Sequence, residues 1–255
     1  MAEELVKELK DSIIESDTFG QMIHHPLIVS PYVLSSVEIS DEKHQELVDH
    51  QITYFNKGLK SKQKQVLKAV EAKKWNHLLV LHERPYRLRA FVQFAPFMKP
   101  SEYWENLAWV WIDTEFPFQE RQLWLDLFTA NVKQRRKLMM AKERKTLQKL
   151  PENVTIYRGY NDWKGDSGPL GVSWTLSEEK AAWFAKRFAT PENSPSVSEG
   201  ICKKESILAY FETRDEQEIV IDPLDVNIVD NKAIYLENEN PYKHLEAIED
   251  TTEDA

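Results

Sequence analysis

Through most of the first 150 residues, apolar side chains recur at intervals of three and four, the spacing of one helix face. Ser40 is placed to cap the first helix. The apolar face of that helix is predicted to comprise Leu47, Val48, Ile52, Phe55 and Leu59. Further helices are predicted around 66–70, around 103–111 and from 117 to 150, where Pro151 ends the pattern. The stretch 84–87 interrupts the periodicity and is predicted to be a loop.

From residue 152 the pattern changes to an alternation of apolar and polar residues, which is typical of strands. Strands are predicted over 154–158, 206–213 and 216–222, with loops over 161–171 and 189–205. Thr175 and Glu178 match a capping box, so a helix is predicted to follow them, with Ala181, Phe184, Ala185 and Phe188 on one face. We therefore expect an α+β fold. Its predicted parts are a helical region over 1–150, a mixed α/β core over 151–236 and an acidic tail over 237–255.

Composition narrows the class of protein without identifying it. With 42% hydrophobic and 29% charged residues, the 255-residue chain resembles an ordinary soluble globular protein. Its single cysteine, Cys202, excludes an internal disulfide and a multi-cysteine zinc site. No apolar run has the length of a membrane span, and the charged N-terminus lacks the apolar stretch of a signal peptide. We expect a cytoplasmic protein.

The formal net charge of −9 is unevenly distributed. The stretch 133–149 carries eight basic residues, opposed only by Glu143, whereas the tail from 237 is acidic. A solvated helix face is the ordinary interpretation of such a basic run. Two alternatives are a contact surface for nucleic-acid phosphates and a docking site for an acidic protein partner such as an antitoxin.

Three segments of the second half carry residues suited to chemistry. Alternation along a strand would place Glu216 and Glu218 on one face, where paired carboxylates resist desolvation unless a ligand or a cation uses them. Arg158 ends a predicted strand and offers a planar fork for phosphate, and Gly159 would let a ligand approach the backbone. Ser173 lies between an extended stretch and the next helix. Each residue also has an ordinary structural interpretation. The two glutamates fit the solvated face of an edge strand, Arg158 fits a structural salt bridge, and Ser173 fits a turn.

Together the three segments resemble the R-S-E class of mono-ADP-ribosyltransferases, which comprises bacterial exotoxins, phage enzymes and vertebrate ectoenzymes. In that family a strand-borne arginine, a Ser-Thr-Ser-like strand and an E-x-E motif line the NAD cleft. Arg158, Ser173 with Thr175, and Glu216 with Glu218 match these elements. The middle segment departs from the family pattern because it reads Ser-Trp-Thr. The resemblance covers about 153–223 and implies a compact mixed α/β core with a split β-sheet.

The resemblance also implies a role for each matching residue. Glu218 would accept a hydrogen bond from the ribose 2′-hydroxyl and face the positive charge that develops on the sugar. Arg158 would bind the pyrophosphate or a ribose, Ser173 would position the nicotinamide ribose, and backbone groups at Gly159 would receive the nicotinamide amide. Thr175 would be a further cofactor-binding residue. Glu216 would orient or deprotonate the acceptor. Trp174 or Phe184 is the candidate to stack on nicotinamide, although the spacing of Phe184 also fits a core residue.

We therefore expect an NAD-dependent transferase that modifies a macromolecule and acts as an intracellular toxin or effector, without a metal. The acceptor is expected to be a protein, in which Glu216 would favour arginine. The basic stretch favours RNA or DNA instead. Two other hypotheses are a non-catalytic binding module on the same fold and an NAD glycohydrolase that uses water as acceptor.

Other candidates are weaker on sequence alone. Adjacent histidines point apart, so His24 and His25 are unsuited to a metal site. Cys202 is predicted to lie in a polar loop, where Lys203 and Lys204 could lower its pKa, but no histidine motif supports a nucleophile. Four tryptophans are predicted to form core or a target-binding groove in the helical part: Trp104, Trp109, Trp111 and Trp124.

Overall fold

The computed structural model describes residues 23–30, 41–115, 117–161, 168–187, 189 and 195–234. The expected Ser40 cap, the position of Phe188 and the acidic tail from 237 lie outside these residues. Contacts group the chain into two compact units. One comprises the described residues within 1–116 and 130–140, and the other those within 117–129 and 141–255. This grouping differs from a cut at residue 150 in that two helices before Pro151 belong to the second unit; the domain organisation itself stays a prediction.

The first unit is mostly helical. Its elements are a hairpin of β1 (Ile23–His25) and β2 (Ile28–Ser30), followed by α1 (Asp41–Glu71), α2 (Trp75–Leu81), α3 (Arg87–Phe94) and α4 (Pro100–Asp113). The sequence predicted two helices where the structure has the single 31-residue α1. The polar stretch between them is rich in Lys and Gln, which are good helix formers and do not interrupt a helix. The predicted loop at 84–87 is a 3-10 turn over Arg84–Tyr86 that leads directly into α3.

Aromatic side chains fill the centre of this unit. Trp104 and Trp111 are buried, whereas Trp109 is half-buried beneath the Arg87 guanidinium, 5.2 Å from its ring. The Trp104 indole donates to the carbonyls of Val132 (3.2 Å) and Lys133 (2.9 Å). These two carbonyls therefore accept hydrogen bonds from a side chain and not from backbone amides of a helix. For this reason the long helix predicted from 117 to 150 is interrupted over 129–140.

The second unit contains α5 (Arg121–Phe128), α6 (Ala141–Lys149), α7 (Glu178–Lys186) and a six-stranded sheet. The strands are β3 (Asn153–Tyr160), β4 (Ser173–Thr175), β5 (Ser196–Lys203), β6 (Ile207–Phe211), β7 (Glu218–Ile221) and β8 (Val226–Ala233). Their order is β6-β7-β4-β3-β5-β8, and every neighbouring pair is antiparallel. The structure is thus mixed α/β, with seven α-helices among the described residues and an antiparallel sheet.

Several predicted elements of this unit are corrected. The stretch 189–205 was predicted as a loop, but it contains β5, and β8 was not predicted at all. The helix cap is Ser177, whose hydroxyl accepts from the Lys180 amide at 3.2 Å, whereas the sequence predicted Thr175. Trp124 is a buried core residue of a helix, as predicted, and that helix, α5, belongs to this unit.

The sheet consists of two halves. The short half is β6, β7 and β4, and the long half is β3, β5 and β8. In the described strands a single residue pair, Tyr157 with Thr175, joins the halves. We call this junction the seam; its borders are Tyr157 and Gly159 on β3 and Ser173 and Thr175 on β4.

Candidate functional site beside the seam

Ser173 and Glu218 meet in a direct hydrogen bond. The Ser173 hydroxyl donates to Glu218 Oε1 at 2.6 Å. Pairing of Thr175 with Glu218, and of Ser173 with Val220, brings the two side chains to neighbouring positions on one face. Glu218 is only 5% exposed. The site therefore contains a carboxylate that is largely withdrawn from water and oriented by a hydroxyl.

Glu216 is not on the same strand face as Glu218, contrary to the sequence-based prediction. Strand β7 begins only at Glu218, and Gln217 has a left-handed backbone (φ 48°), which breaks the alternation between the two glutamates. The Glu216 carboxylate pairs with Arg214 at 2.8 Å. Its carbonyl accepts from the Thr175 hydroxyl at 2.7 Å. Glu216 is thus held next to the site by its backbone, with its charge balanced by a neighbour.

Arg158 is directed at backbone carbonyls. Its Nε donates to Gly168 at 2.7 Å and its Nη1 donates to Ser173 at 2.9 Å, and the side chain is buried. A side chain at Gly171 would collide with the guanidinium, so glycine at that position gives Arg158 its space. Arg158 therefore reaches the short half of the sheet through the main chain of Ser173.

The ladder between β4 and β7 shows which way the backbone groups of β4 point. The Val172 carbonyl accepts from Ile221, and Leu176 donates to the Gln217 carbonyl. Because backbone groups alternate in direction along a strand, those of Ser173 point away from β7 and towards β3.

In a continuous ladder, Ser173 would pair with Gly159, two residues beyond the pair of Tyr157 and Thr175. The Ser173 carbonyl instead accepts from Arg158, so the guanidinium takes the place of a strand partner at this point of the seam. The same alternation directs the N–H and C=O of Gly159 into the seam.

The three residues that matched the resemblance do not all lie on one face. Tyr157, Thr175 and Glu218 are cross-strand neighbours and share a face, and Arg158 follows Tyr157, so its side chain leaves the sheet on the opposite side. The structure brings Ser173 and Glu218 together and connects Arg158 to them through a carbonyl. The contacts of Arg158 favour a positioning role, while its predicted binding of pyrophosphate stays untested.

The aromatic candidates differ in exposure. Trp174 is 2% exposed, and its indole donates to the Gly171 carbonyl at 2.8 Å, so no free ring face is available for stacking. Phe184 is half-buried on α7 and contacts the exposed Trp183 edge-on, with ring centroids 5.0 Å apart. Phe184 is accordingly the better placed of the two for a ligand.

Two ionisable groups of the sheet unit have raised pKa values. Burial raises the pKa of Cys202 to about 11, helped by the nearby charge of Asp225. The prediction that its lysine neighbours lower this pKa was wrong, because Cys202 is buried in β5. Burial, followed by the charges of Glu199 and Glu178, raises the pKa of the Tyr157 hydroxyl on the Glu218 face.

The basic stretch 133–149 is not one helix. It is divided between a 3-10 turn over Arg135–Lys137 and α6, and these belong to different units. Lys137 pairs with Glu105 at 2.9 Å and Lys142 with Glu212 at 2.6 Å. Part of the positive charge of the basic stretch is thus balanced by acidic side chains of the protein itself.

The described residues contain neither a candidate metal site nor a helix that could span a membrane. Within the described ranges, no group of three His, Cys, Asp or Glu side chains is arranged to hold a metal ion. His25 uses its Nδ1 to accept from the Leu27 amide at 3.0 Å, and burial lowers its pKa. None of the described helices has both the length and the apolar content needed to cross a bilayer.

Glu143 was not predicted to contribute to this region. It lies in α6, 2% exposed, and accepts from the backbone amide of Glu212 at 3.1 Å. The sequence did contain a signal, since Glu143 is the one acid within the basic stretch.

Comparison with known proteins finds no relative: no family model, no curated protein and no solved structure matches this chain.

Proposed function

We propose that this protein is an NAD-dependent ADP-ribosyltransferase that modifies a macromolecule. The observation that carries the proposal is the hydrogen bond from Ser173 to the buried Glu218 carboxylate, beside a seam into which the Gly159 backbone points. A buried carboxylate with a fixed orientation stabilises positive charge more strongly than an exposed one, because little water screens it. The expected split of the core is supported by the single residue pair that joins the two halves of the sheet.

NAD would supply a bond between nicotinamide and ribose whose cleavage leaves positive charge on the sugar. Glu218 stabilises that charge, and Ser173 fixes the carboxylate orientation. The N–H and C=O of Gly159 match the donor and acceptor of a carboxamide. Arg158 binds the Ser173 carbonyl in place of a strand ladder and so fixes the position of Ser173.

Atoms and charge balance in the overall transfer. The electrons of the broken bond leave with nicotinamide, which becomes neutral, and a new bond forms between the sugar C1′ and the acceptor nucleophile. The acceptor loses one proton. Glu216, whose backbone is fixed by Thr175, is the nearest carboxylate in sequence to Glu218 that can orient the acceptor or take that proton.

The acceptor is proposed to be a protein side chain, with arginine favoured. The ion pair between Glu216 and Arg214 supports this choice, since a guanidinium already occupies the carboxylate and an acceptor guanidinium could replace it. The division of the basic stretch between two units removes the continuous basic helix on which the nucleic-acid alternative depended.

Incubation of the protein with NAD labelled in its adenylate part and with a cell lysate tests the proposal. We expect label in macromolecules and release of nicotinamide, both lost in Glu218→Gln. Label that resists protease and is removed by RNase or DNase would transfer the proposal to nucleic acid. Nicotinamide release without labelled macromolecules would indicate an NAD glycohydrolase. Absence of turnover with both the wild type and Glu218→Gln would support the binding module.

A further inference from the structure

The turn between β6 and β7 is held in a costly backbone conformation. Asp215 (φ 57°) and Gln217 (φ 48°) are both left-handed, and neither is a glycine. Such residues cost on the order of 1 kcal/mol or more each and persist only where the surroundings enforce them. Glu216 lies between the two.

Contacts from three elements enforce this conformation. Strand β4 contributes the Thr175 hydroxyl, which donates to the Glu216 carbonyl, and the next residue, Leu176, donates its amide to the Gln217 carbonyl at 3.1 Å. Helix α7 contributes Lys180, which pairs with the exposed Asp215 carboxylate at 3.1 Å.

The contact from α6 is the buried one. Glu143 Oε1 accepts from the Glu212 amide at 3.1 Å and lies 3.5 Å from the Thr213 hydroxyl, which also donates to it. Glu143 is the buried charged residue of α6, whereas its neighbour Lys142 is exposed and pairs with the Glu212 carboxylate. Since a buried carboxylate is costly unless hydrogen-bonded, Glu143 fixes the first residues of the turn more firmly than the surface ion pairs do.

We infer that Glu143 is a positioning residue for the acceptor, acting through the turn 212–217 that carries Glu216. This inference rests on the proposed function. Glu218 lies beyond the turn, in the β7 ladder with β4 and β6, and is held there independently. Loosening the turn therefore changes the use of the acceptor more than the cleavage of NAD. It follows that α6, which lies outside the stretch of the resemblance, is part of the functional unit.

The experiment compares Glu143→Ala with Glu143→Gln and the matched surface control Lys142→Met. Glutamine keeps an oxygen that accepts from the Glu212 amide, whereas alanine leaves that amide unpaired. Two rates are measured at saturating NAD: nicotinamide release without acceptor, and label transfer to a saturating acceptor such as an arginine-containing peptide. Hydrogen exchange at the Asp215 and Leu176 amides reports the order of the turn, and circular dichroism reports folding.

For Glu143→Ala we expect the ratio of transfer to release to fall about tenfold, with faster exchange at Asp215, a size typical of one lost hydrogen bond to a charged group. Glu143→Gln and Lys142→Met should stay within about threefold of the wild type. An unchanged ratio, or an equal fall of both rates, overturns the inference and leaves the proposed function intact. A wild type that neither releases nicotinamide nor transfers label overturns the proposed function, and the inference with it.

Discussion

The two halves of the sheet differ in length, burial and content. The strands of the short half have three to five residues, and all four residues of β7 are buried. Each strand of the long half has eight residues, and its outer strand β8 is exposed over most of its length. The hydroxyl and the carboxylate of the candidate site lie in the short half, while the guanidinium that connects the halves comes from the long one.

This difference indicates that the short half carries the candidate catalytic groups and that the long half stabilises the sheet. A short strand that is buried throughout, as β7 is, leaves its side chains little freedom to move, which suits a residue that must hold a fixed geometry. The long half gains its stability from extended pairing. We therefore expect substitution of Ser173 or Glu218 in the short half to affect activity first, and substitutions in the long half, including Arg158, to affect stability first.

The largest effect is expected for Glu218→Gln, which removes the buried charge with little change in volume. NAD turnover should fall about 100- to 1,000-fold, as for the loss of a single electrostatic stabiliser. Nicotinamide release, measured at saturating NAD, checks this prediction. Glu205→Gln makes the same charge change at an exposed position of the same unit and should retain full turnover. Equal turnover in both variants would contradict the role proposed for the Glu218 carboxylate in the short half of the sheet.

Arg158→Met should separate the halves. The substitution removes two hydrogen bonds from a buried guanidinium to backbone carbonyls. We therefore expect the free energy of unfolding to fall by about 3 kcal/mol. Arg121→Met is the control, because Arg121 donates to the Leu170 carbonyl from an exposed position, and its loss should cost less than about 0.5 kcal/mol. Urea unfolding followed by fluorescence measures both. Similar midpoints for the two variants would count against the role given to the seam.

Two serines, one in each half, sharpen the comparison. Ser173 donates to a carboxylate and Ser198 donates to the Asn231 side chain at 3.1 Å. We expect Ser173→Ala to lower NAD turnover about tenfold, because a hydrogen bond to a charged group is stronger than one between neutral groups. Ser198→Ala should leave turnover within about twofold while lowering stability by about 1 kcal/mol. Steady-state kinetics and urea unfolding of both variants decide the matter; a reversed pattern would contradict it.

The smallest effect concerns Cys202 in β5. Its pKa of about 11 lies above the value of 9 for an exposed thiol, so ionisation disfavours the native state. The stability that this group contributes is therefore complete below pH 9 and is lost as the pH rises towards 11. Urea unfolding between pH 8 and 11 should show a decline that is smaller in Cys202→Ala; the buried tyrosines, whose pKa values are also raised, account for the remainder. In the native protein a thiol reagent should also label Cys202 faster after Arg158→Met than after Ser173→Ala, if the seam protects the long half.

Parts of this arrangement were predictable from the sequence. Strand β3 follows from the alternation of Val154, Ile156 and Arg158, whose side chains are buried while those between them are more exposed. Most of β6 and β7 follow in the same way. Strand β8 escaped prediction because it is a solvated edge, where polar and apolar residues need not alternate. Strand β5 was hidden by its serines, one of which is buried through a partner on β8.

The site was predictable as a set of residues, but not as a geometry. The resemblance selected Ser173 and Glu218, which the structure brings together. It did not provide the register, and a register decides which side of the sheet each side chain takes. The left-handed turn before β7 likewise moved Glu216 out of the strand, because a φ of this sign in Gln217 results from surrounding contacts and not from its own preference.

Gly159 has one more consequence. A methyl group at that position would collide with the Ala181 carbonyl, so α7 rests directly on bare main chain. Glycine is therefore the one amino acid that fits at this position, and packing within the fold alone imposes this restriction. Any other residue at position 159 would have to displace α7.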